Sequence, residues 1–450
     1  MVTSPHDVLI DFWLSNPDFA ASEGGAGRSM GGDSVRNFLR ILPLAALLAG
    51  AASSAHAQVE LNFWDQVWGP GSYSQRAQQL VDDFNKSQDD IHVTYRSVPW
   101  ANWYETYVTA IASGSAPDIS TGAGFQAVQF YSMDAIYPVD DLVKEMEANG
   151  SAKDFAPGTL EAMKYDGHYV ALPWAIDLRA LFYRKDVLEA AGQKVPTNWD
   201  EFLAVSKAVT KDGIYGVVSS GDATGMHWIL SAMINNGGGL FDADRKPNLT
   251  GEKSLAALNF LSSFATEKVL NPASAGYTND DALGSFNGGK AAFYLSSPST
   301  ADQAGKEKDK VGVVPPLTST SGEKGTIGWI NNIMVYKQTE HPKETLKFLR
   351  WWSENQKVLW TEGKAGGIPA RVSFQQDPYF TENDQVSFVI KNYLPIVKPM
   401  SATAGGTFPQ LNEIDGDGFM MSLVQKLWQG QPAGEIVTPA QEHLQEIMEQ

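Results

Sequence analysis

Cysteine is absent from all 450 residues. That removes disulfide staples, thiol nucleophiles and cysteine-ligated metal centres, so stability has to come from ordinary hydrophobic cores. Histidine is sparse, with seven residues and no H-x-x-x-H spacing, and no G-x-S-x-G elbow occurs. Neither a helical zinc-protease site nor an α/β-hydrolase nucleophile is therefore expected. Gly122 and Gly124 lack the third glycine of a dinucleotide fingerprint, and no cofactor is expected. Glu413-Ile414-Asp415-Gly416-Asp417-Gly418 imitates the front of a calcium loop, but its twelfth position is Val424 where a bidentate Glu is required, so no metal is expected either. Positive charge is also short, with 34 Lys and Arg against 52 Asp and Glu, a net charge of −18 that argues against nucleic acid as a partner. Internal repeats are missing, which excludes solenoid and adhesive arrays.

What is present begins with an export pattern. Met30 opens a second possible start, Arg36 and Arg40 form a basic region, Ile41 to Ala52 an apolar one, and Ala55-His56-Ala57 a cleavage site before Gln58. Residues Met1 to Ala57 are read as an N-terminal extension and secretory signal, and the apolar run is too short for a membrane anchor, which needs about 20 residues. No cysteine follows the cleavage site to carry a lipid, so a soluble periplasmic product is expected. About 390 residues remain, enough for two domains and too many for one core. They hold 31 basic and 47 acidic residues and 12 of the 13 Trp.

The chain then reads as α/β. Strand Leu61 to Trp64, helix Ser74 to Phe84 and strand His92 to Tyr95 make a βαβ start, with Asp65 ending the first strand. Ligands on such folds bind beyond the carboxyl ends of strands, which nominates Asp65, Gln66 and Trp68. From Gly167 to Gly192 the pattern predicts a strand stopped by Pro173, an exposed connector holding Trp174, Asp177 and Arg179, a second strand and a helix. Helices are predicted from Trp199, capped by Thr197 or Asn198, and from Met226 to Asn236, where Trp228 is a candidate cleft residue with core packing as its equal competitor. A strand ending at Ser296, a crossing stretch Gly325 to Lys337 with Trp329, Asn331 and Asn332, one long helix Pro342 to Thr361, and closing helices Phe419 to Gln429 and Thr438 to Gln450 complete the reading.

Several of these stretches carry motifs. Ala116-Pro117-Asp118-Ile119, the Gly167 to Pro173 run ending in Ala171-Leu172-Pro173, Tyr183-Arg184-Lys185-Asp186, Pro196 to Phe202, Phe286 to Phe293 and Gly366 to Arg371 occur in an order that resembles the extracellular solute-binding proteins of ABC importers. The likeness is to their carbohydrate-binding branch, which includes maltose-binding protein, and it covers essentially the whole exported chain. The resemblance implies a two-lobed periplasmic-binding-protein fold with a ligand cleft between lobes joined by hinge crossovers. It divides the chain into 58–176 and 329–375 for the first lobe, and 177–328 and 376–450 for the second. It implies a sugar or sugar derivative as ligand, a membrane permease as partner, a monomer, and no enzyme activity. By motif position it nominates Asp118, the loop around Gly124, Asp177, Ser296, Trp329, Asn332 and Arg371 as ligand contacts. Arg179 together with Arg371 leaves an anionic sugar, or a polyol or glycerol phosphate, as an alternative. A secreted glycoside hydrolase is the other alternative, and it would need two carboxylates about 5–10 Å apart drawn from Asp65, Asp118 and Asp177.

Overall fold

Val59–Gln66 alternates in burial, with Leu61, Phe63 and Asp65 turned to one side, and forms a strand rather than stopping at Trp64. Asp65 does not break it because the hydroxyls of Tyr73, Tyr95 and Thr121 satisfy the carboxylate inside the protein. The structure, a computed structural model, describes residues 58–449. The export pattern lies outside the described residues. Among the described residues no helix is long and apolar enough to cross a membrane.

The first strand feeds helix Gly71–Ser87, whose Tyr73, Ala77, Leu80, Val81 and Phe84 cover one face of the sheet. The chain returns as Ile91–Val98, parallel and in register from Val59 opposite Ile91 to Gln66 opposite Val98. With Ile119–Gly122 also parallel, three carboxyl strand ends open on one edge. This eight-stranded sheet runs Ile368–Pro369, Leu172–Leu178, Thr326–Tyr336, Ile119–Gly122, Val59–Gln66, Ile91–Val98, with two short strands pairing off Thr326–Tyr336. A second, four-stranded sheet runs Val311–Val313, Ala180–Arg184, Ala291–Ser296, Tyr215–Val217. Each sheet has its own core. Phe63, Phe348, Trp352 and Trp360 pack in the first, and Phe202, Trp228, Phe264 and Trp428 in the second.

The connector expected to be exposed is a buried strand instead. Leu172–Leu178 lies between Thr326–Tyr336 and Ile368–Pro369, and Trp174 is buried within it. Pro173 is tolerated because the partner strand shifts register between Asn331, opposite Ala175, and Asn332, opposite Pro173. A proline has no N–H to give a ladder, and an irregularity is where one fits. The chain leaves the first sheet at Leu178 and enters the second at Ala180, so Arg179 alone spans the step. Thr326–Tyr336 starts beside it, with Arg179 N–H donating to Ile327 O at 3.1 Å and Thr326 Oγ1 donating to Arg179 O at 2.6 Å. Val397–Lys398 pairs with Thr326–Ile327 as a third connection before the closing helices.

Other elements differ in extent. The long helix is two, Pro342–Asn355 and Val358–Thr361, with Trp352 and Trp360 buried. Asn198 is the cap of helix Trp199–Val209, and the Trp199 ring stacks on Phe260 at 4.1 Å. The last helix begins earlier, at Ala433, and carries Pro439 inside it. The calcium-like stretch forms the end of a short helix, Gln410–Gly416.

Candidate functional site

The site grows from the carboxyl ends of the first sheet. Thr121 Oγ1 donates to Asp65 Oδ1 at 2.8 Å and accepts from the Gln66 backbone N–H and the Trp68 indole N–H, each at 3.0 Å. One hydroxyl thus fixes both the end of the strand and the ring that follows it. The Trp68 ring stands edge-on to Trp100 at 4.9 Å and Trp174 at 5.2 Å. Burial pushes the Asp65 carboxyl up to about 7, against the pull of the surrounding hydroxyls. Asp65 therefore braces the site from beneath and presents no surface of its own.

The loop after Ile119–Gly122 is held to the crossing strand. Gly124 N–H donates to Asn331 Oδ1 at 3.1 Å, and Asn332 Nδ2 donates to Gly124 O at 2.9 Å. A Cβ at Gly124 would lie 2.6 Å from Trp329 Cδ1, so only glycine lets the loop press against that indole.

Across the loop lies a charged group drawn from distant parts of the chain. Arg179 Nη1 binds Asp177 Oδ1 at 2.6 Å and Leu178 O at 3.1 Å, while its Nε–H donates to His227 Nδ1 at 2.8 Å. The guanidinium sits 5.1 Å from the centre of the Trp329 ring, and the His227 ring is 4.8 Å from it. Burial, and then the Arg179 charge, hold His227 well below its ordinary range, so the imidazole is neutral and its Nδ1 is free to accept. Asp415 completes the group. Burial raises its carboxyl to about 7, with Arg179 and the Trp329 indole opposing and Asp177 assisting.

Several buried polar atoms at this site make no hydrogen bond within the protein: both side-chain ends of Gln66, Asn332 Oδ1, Trp329 Nε1 and Asp415 Oδ1. Leaving such a group unpaired costs about 1–3 kcal/mol. The set mixes donors with acceptors beside an indole, and its chemistry is that of hydroxyl recognition.

The expected site residues separate into two groups. Asp65, Gln66, Trp68, Gly124, Asp177, Arg179, Trp329 and Asn332 lie in this region, and Ser296 ends its strand opposite Ala180, one residue from Arg179. Asp118, Trp228 and Arg371 lie elsewhere. Asp118 precedes Ile119 at the amino end of its strand, where it accepts from Asn62 N–H at 2.8 Å, so the sheet separates it from the cleft. Trp228 packs against Phe202 and Phe264 in the second core. Arg371 is buried against Ser353 and Asp154 with its guanidinium over Phe155, which leaves no charge to offer a ligand. Thr121, His227 and Asp415 were not anticipated. Thr121 had a signal, since it lies at the carboxyl end of strand Ile119–Gly122, which faces the cleft; His227 and Asp415 had none, because their partners are remote in sequence.

The family model of the bacterial extracellular solute-binding proteins matches residues 71–358. A sugar transporter from Arthrobacter chlorophenolicus A6, solved with bound laminaribiose, is similar at 29% identity and a TM-score of 0.82, over 86% of this chain and 99% of its own. Maltose-bound MalE3 of T. maritima, at 21% identity and a TM-score of 0.74 over 86% of this chain and 99% of its own, shares the fold. The arabinooligosaccharide-binding protein of Bacillus subtilis is 24% identical over 339 residues, 72% of this chain and 76% of that protein. A family match across well over half of the chain, on two sheets joined by crossing strands, places it plainly: the chain belongs to the bacterial extracellular solute-binding proteins.

Proposed function

We propose that this protein is the periplasmic substrate-binding component of an ABC importer, and that it captures a neutral sugar between its lobes and passes it unchanged to a membrane permease. The observation that carries this reading is the set of unpaired donors and acceptors along the carboxyl ends of the first sheet and beside Trp329. Sugars offer flat C–H faces to an indole and hydroxyls that both donate and accept. The similar proteins with laminaribiose, maltose and arabino-oligosaccharides in their names or crystals support the ligand class. The lobes would close as a monomer by bending at three connections, after Leu178, before Gly328 and at Val397–Lys398, a hinge transition whose closed state the ligand selects.

The anionic alternative is weakened by the commitments of its two cations. Arg179 is engaged by Asp177 and His227, Arg371 by Ser353 and Asp154, and Asp415 brings a second carboxyl, not a cation, to the site. For a hydrolase, Asp415 has the raised pKa of a general acid, but Asp177 is held by Arg179 and is a poor nucleophile there.

The test is a thermal-shift and calorimetric series on the protein starting at Gln58, with laminaribiose, maltose, arabino-oligosaccharides, a uronate and glycerol phosphate. A neutral sugar at 100 times its Kd should add about 2.7 kcal/mol and raise Tm by a few degrees, with the sugar recovered intact. Tighter binding of the uronate or the phosphate would reject a neutral ligand, and a cleaved sugar would reject the transport role.

A further inference from the structure

We infer that Asp415, delivered by the short helix Gln410–Gly416, contacts the ligand and grips one hydroxyl of the bound sugar together with the Trp329 indole N–H. This rests on the reading of the cleft as a carbohydrate site. It adds a residue that no motif or family match marks, since the family match ends at residue 358.

Helical spacing determines what this helix can do. Leu411 and Ile414, three apart, are buried in the core of the second lobe. Asn412 and Asp415, also three apart, share the neighbouring face. Asn412 Nδ2 donates to Gln129 Oε1 at 2.6 Å, and Gln129 Nε2 donates to Tyr104 OH at 2.8 Å, both partners lying on helices of the first lobe. Gly416 continues the contact, for a Cβ there would stand 3.0 Å from Tyr104 Cβ. The helix is therefore anchored in one lobe and clasped by the other, and its next inward side chain is Asp415.

At that position Asp415 Oδ1 and Trp329 Nε1 are both buried and neither has a partner at good hydrogen-bond geometry, while the indole N–H lies close enough to the carboxyl to oppose the rise in its pKa. An acceptor and a donor side by side match a hydroxyl, which donates to the carboxylate and accepts from the indole. A ligand carboxylate seated at this point would only accept, and it would meet the Asp177 charge as well as Asp415 whenever that carboxyl is ionised. Asp415 forms no salt bridge among the described residues, so the acceptor is not already spent.

The experiment is calorimetry with laminaribiose, maltose and cellobiose on the wild type, Asp415→Asn and Asp415→Ala, followed by the monodeoxy series of whichever sugar binds. Asp415→Ala should weaken the parent sugar by about 10- to 100-fold, the strength expected of a hydrogen bond to a charged group. One monodeoxy sugar should lose as much on the wild type and almost nothing further on Asp415→Ala, which marks the hydroxyl and the carboxylate as partners. Asp415→Asn keeps the side-chain volume and supplies the folded control if the alanine variant melts early. Unchanged affinity in both variants, or losses that add for every deoxy sugar, overturns the inference while leaving the sugar-binding reading in place. If neither these disaccharides nor the arabino-oligosaccharides bind the wild type while a uronate or glycerol phosphate does, the neutral-sugar reading and the inference fall together.

Discussion

Asp65 holds three hydroxyls on a carboxyl group that forms no salt bridge among the described residues, and the cost appears as pH dependence. Its folded pKa of about 7 exceeds an unfolded value near 3.9, so between these values the folded state binds more protons. Stability from this group is highest at low pH and is lost as pH rises from about 4 to about 7, and burial of Asp415 adds a loss in the same direction. Asp65→Asn should flatten the fall in unfolding free energy between pH 5 and pH 8 by roughly a few kcal/mol, leaving the Asp415 share, as chemical denaturation at the two pH values would show. Arg179 makes a second residue-scale prediction. Arg179→Met strands Asp177 and removes the donor on His227 Nδ1, and should cost ~2–4 kcal/mol in chemical denaturation. His227 should then titrate higher by NMR yet remain below 6.5, because burial outweighs the Arg179 charge among its causes. At this scale the sequence pointed to Asp177 and Arg179 through charge in an apolar run. It misplaced Asp118 and Arg371, because a motif fixes order along the chain and not which end of a strand, or which neighbour, a side chain meets.

Elements place these groups by close approach. The loop at Gly124 presses on Trp329 and is tied to Asn331 and Asn332, so that one turn of the first lobe sets the attitude of the indole platform. Gly124→Ala puts a methyl 2.6 Å from Trp329 Cδ1 and should cost about 1–3 kcal/mol of stability. Sugar affinity should drop with it, read by calorimetry, as the displaced ring loses its alignment. Most elements were legible from periodicity, including the opening βαβ unit and the helix capped by Asn198. Leu172–Leu178 was not, since Pro173 argues against a central strand and only the register shift opposite it removes the objection. Asp65 misled in the same way, as a charge inside a strand is tolerable only with partners that come from other elements.

On the scale of the whole molecule, the lobes touch through the Gln410–Gly416 helix as well as through the crossing strands. Removing the clasp with Asn412→Ala forfeits a buried hydrogen bond worth about 0.5–1.5 kcal/mol and leaves Gln129 Oε1 short of a donor. If closure uses this bond, the ligand-free variant should show a larger radius of gyration than the wild type by small-angle scattering, and saturating sugar should restore the smaller value. An identical radius in both proteins would show that the clasp does not bias the open–closed equilibrium.

The sequence by itself determined the two-core α/β plan, because its length, apolar periodicity and lack of cysteine leave few other ways to bury the chain. It also determined the kinship, through short motifs in a fixed order. Tertiary structure alone decided which polar groups converge. Asp177, Arg179, His227, Trp329 and Asp415 come from segments spread over more than half of the chain, and only the crossing of two strands and the docking of one late helix bring them together. Local pattern reports how a segment meets water, whereas a binding site depends on which segments meet one another, and that is settled by long-range packing.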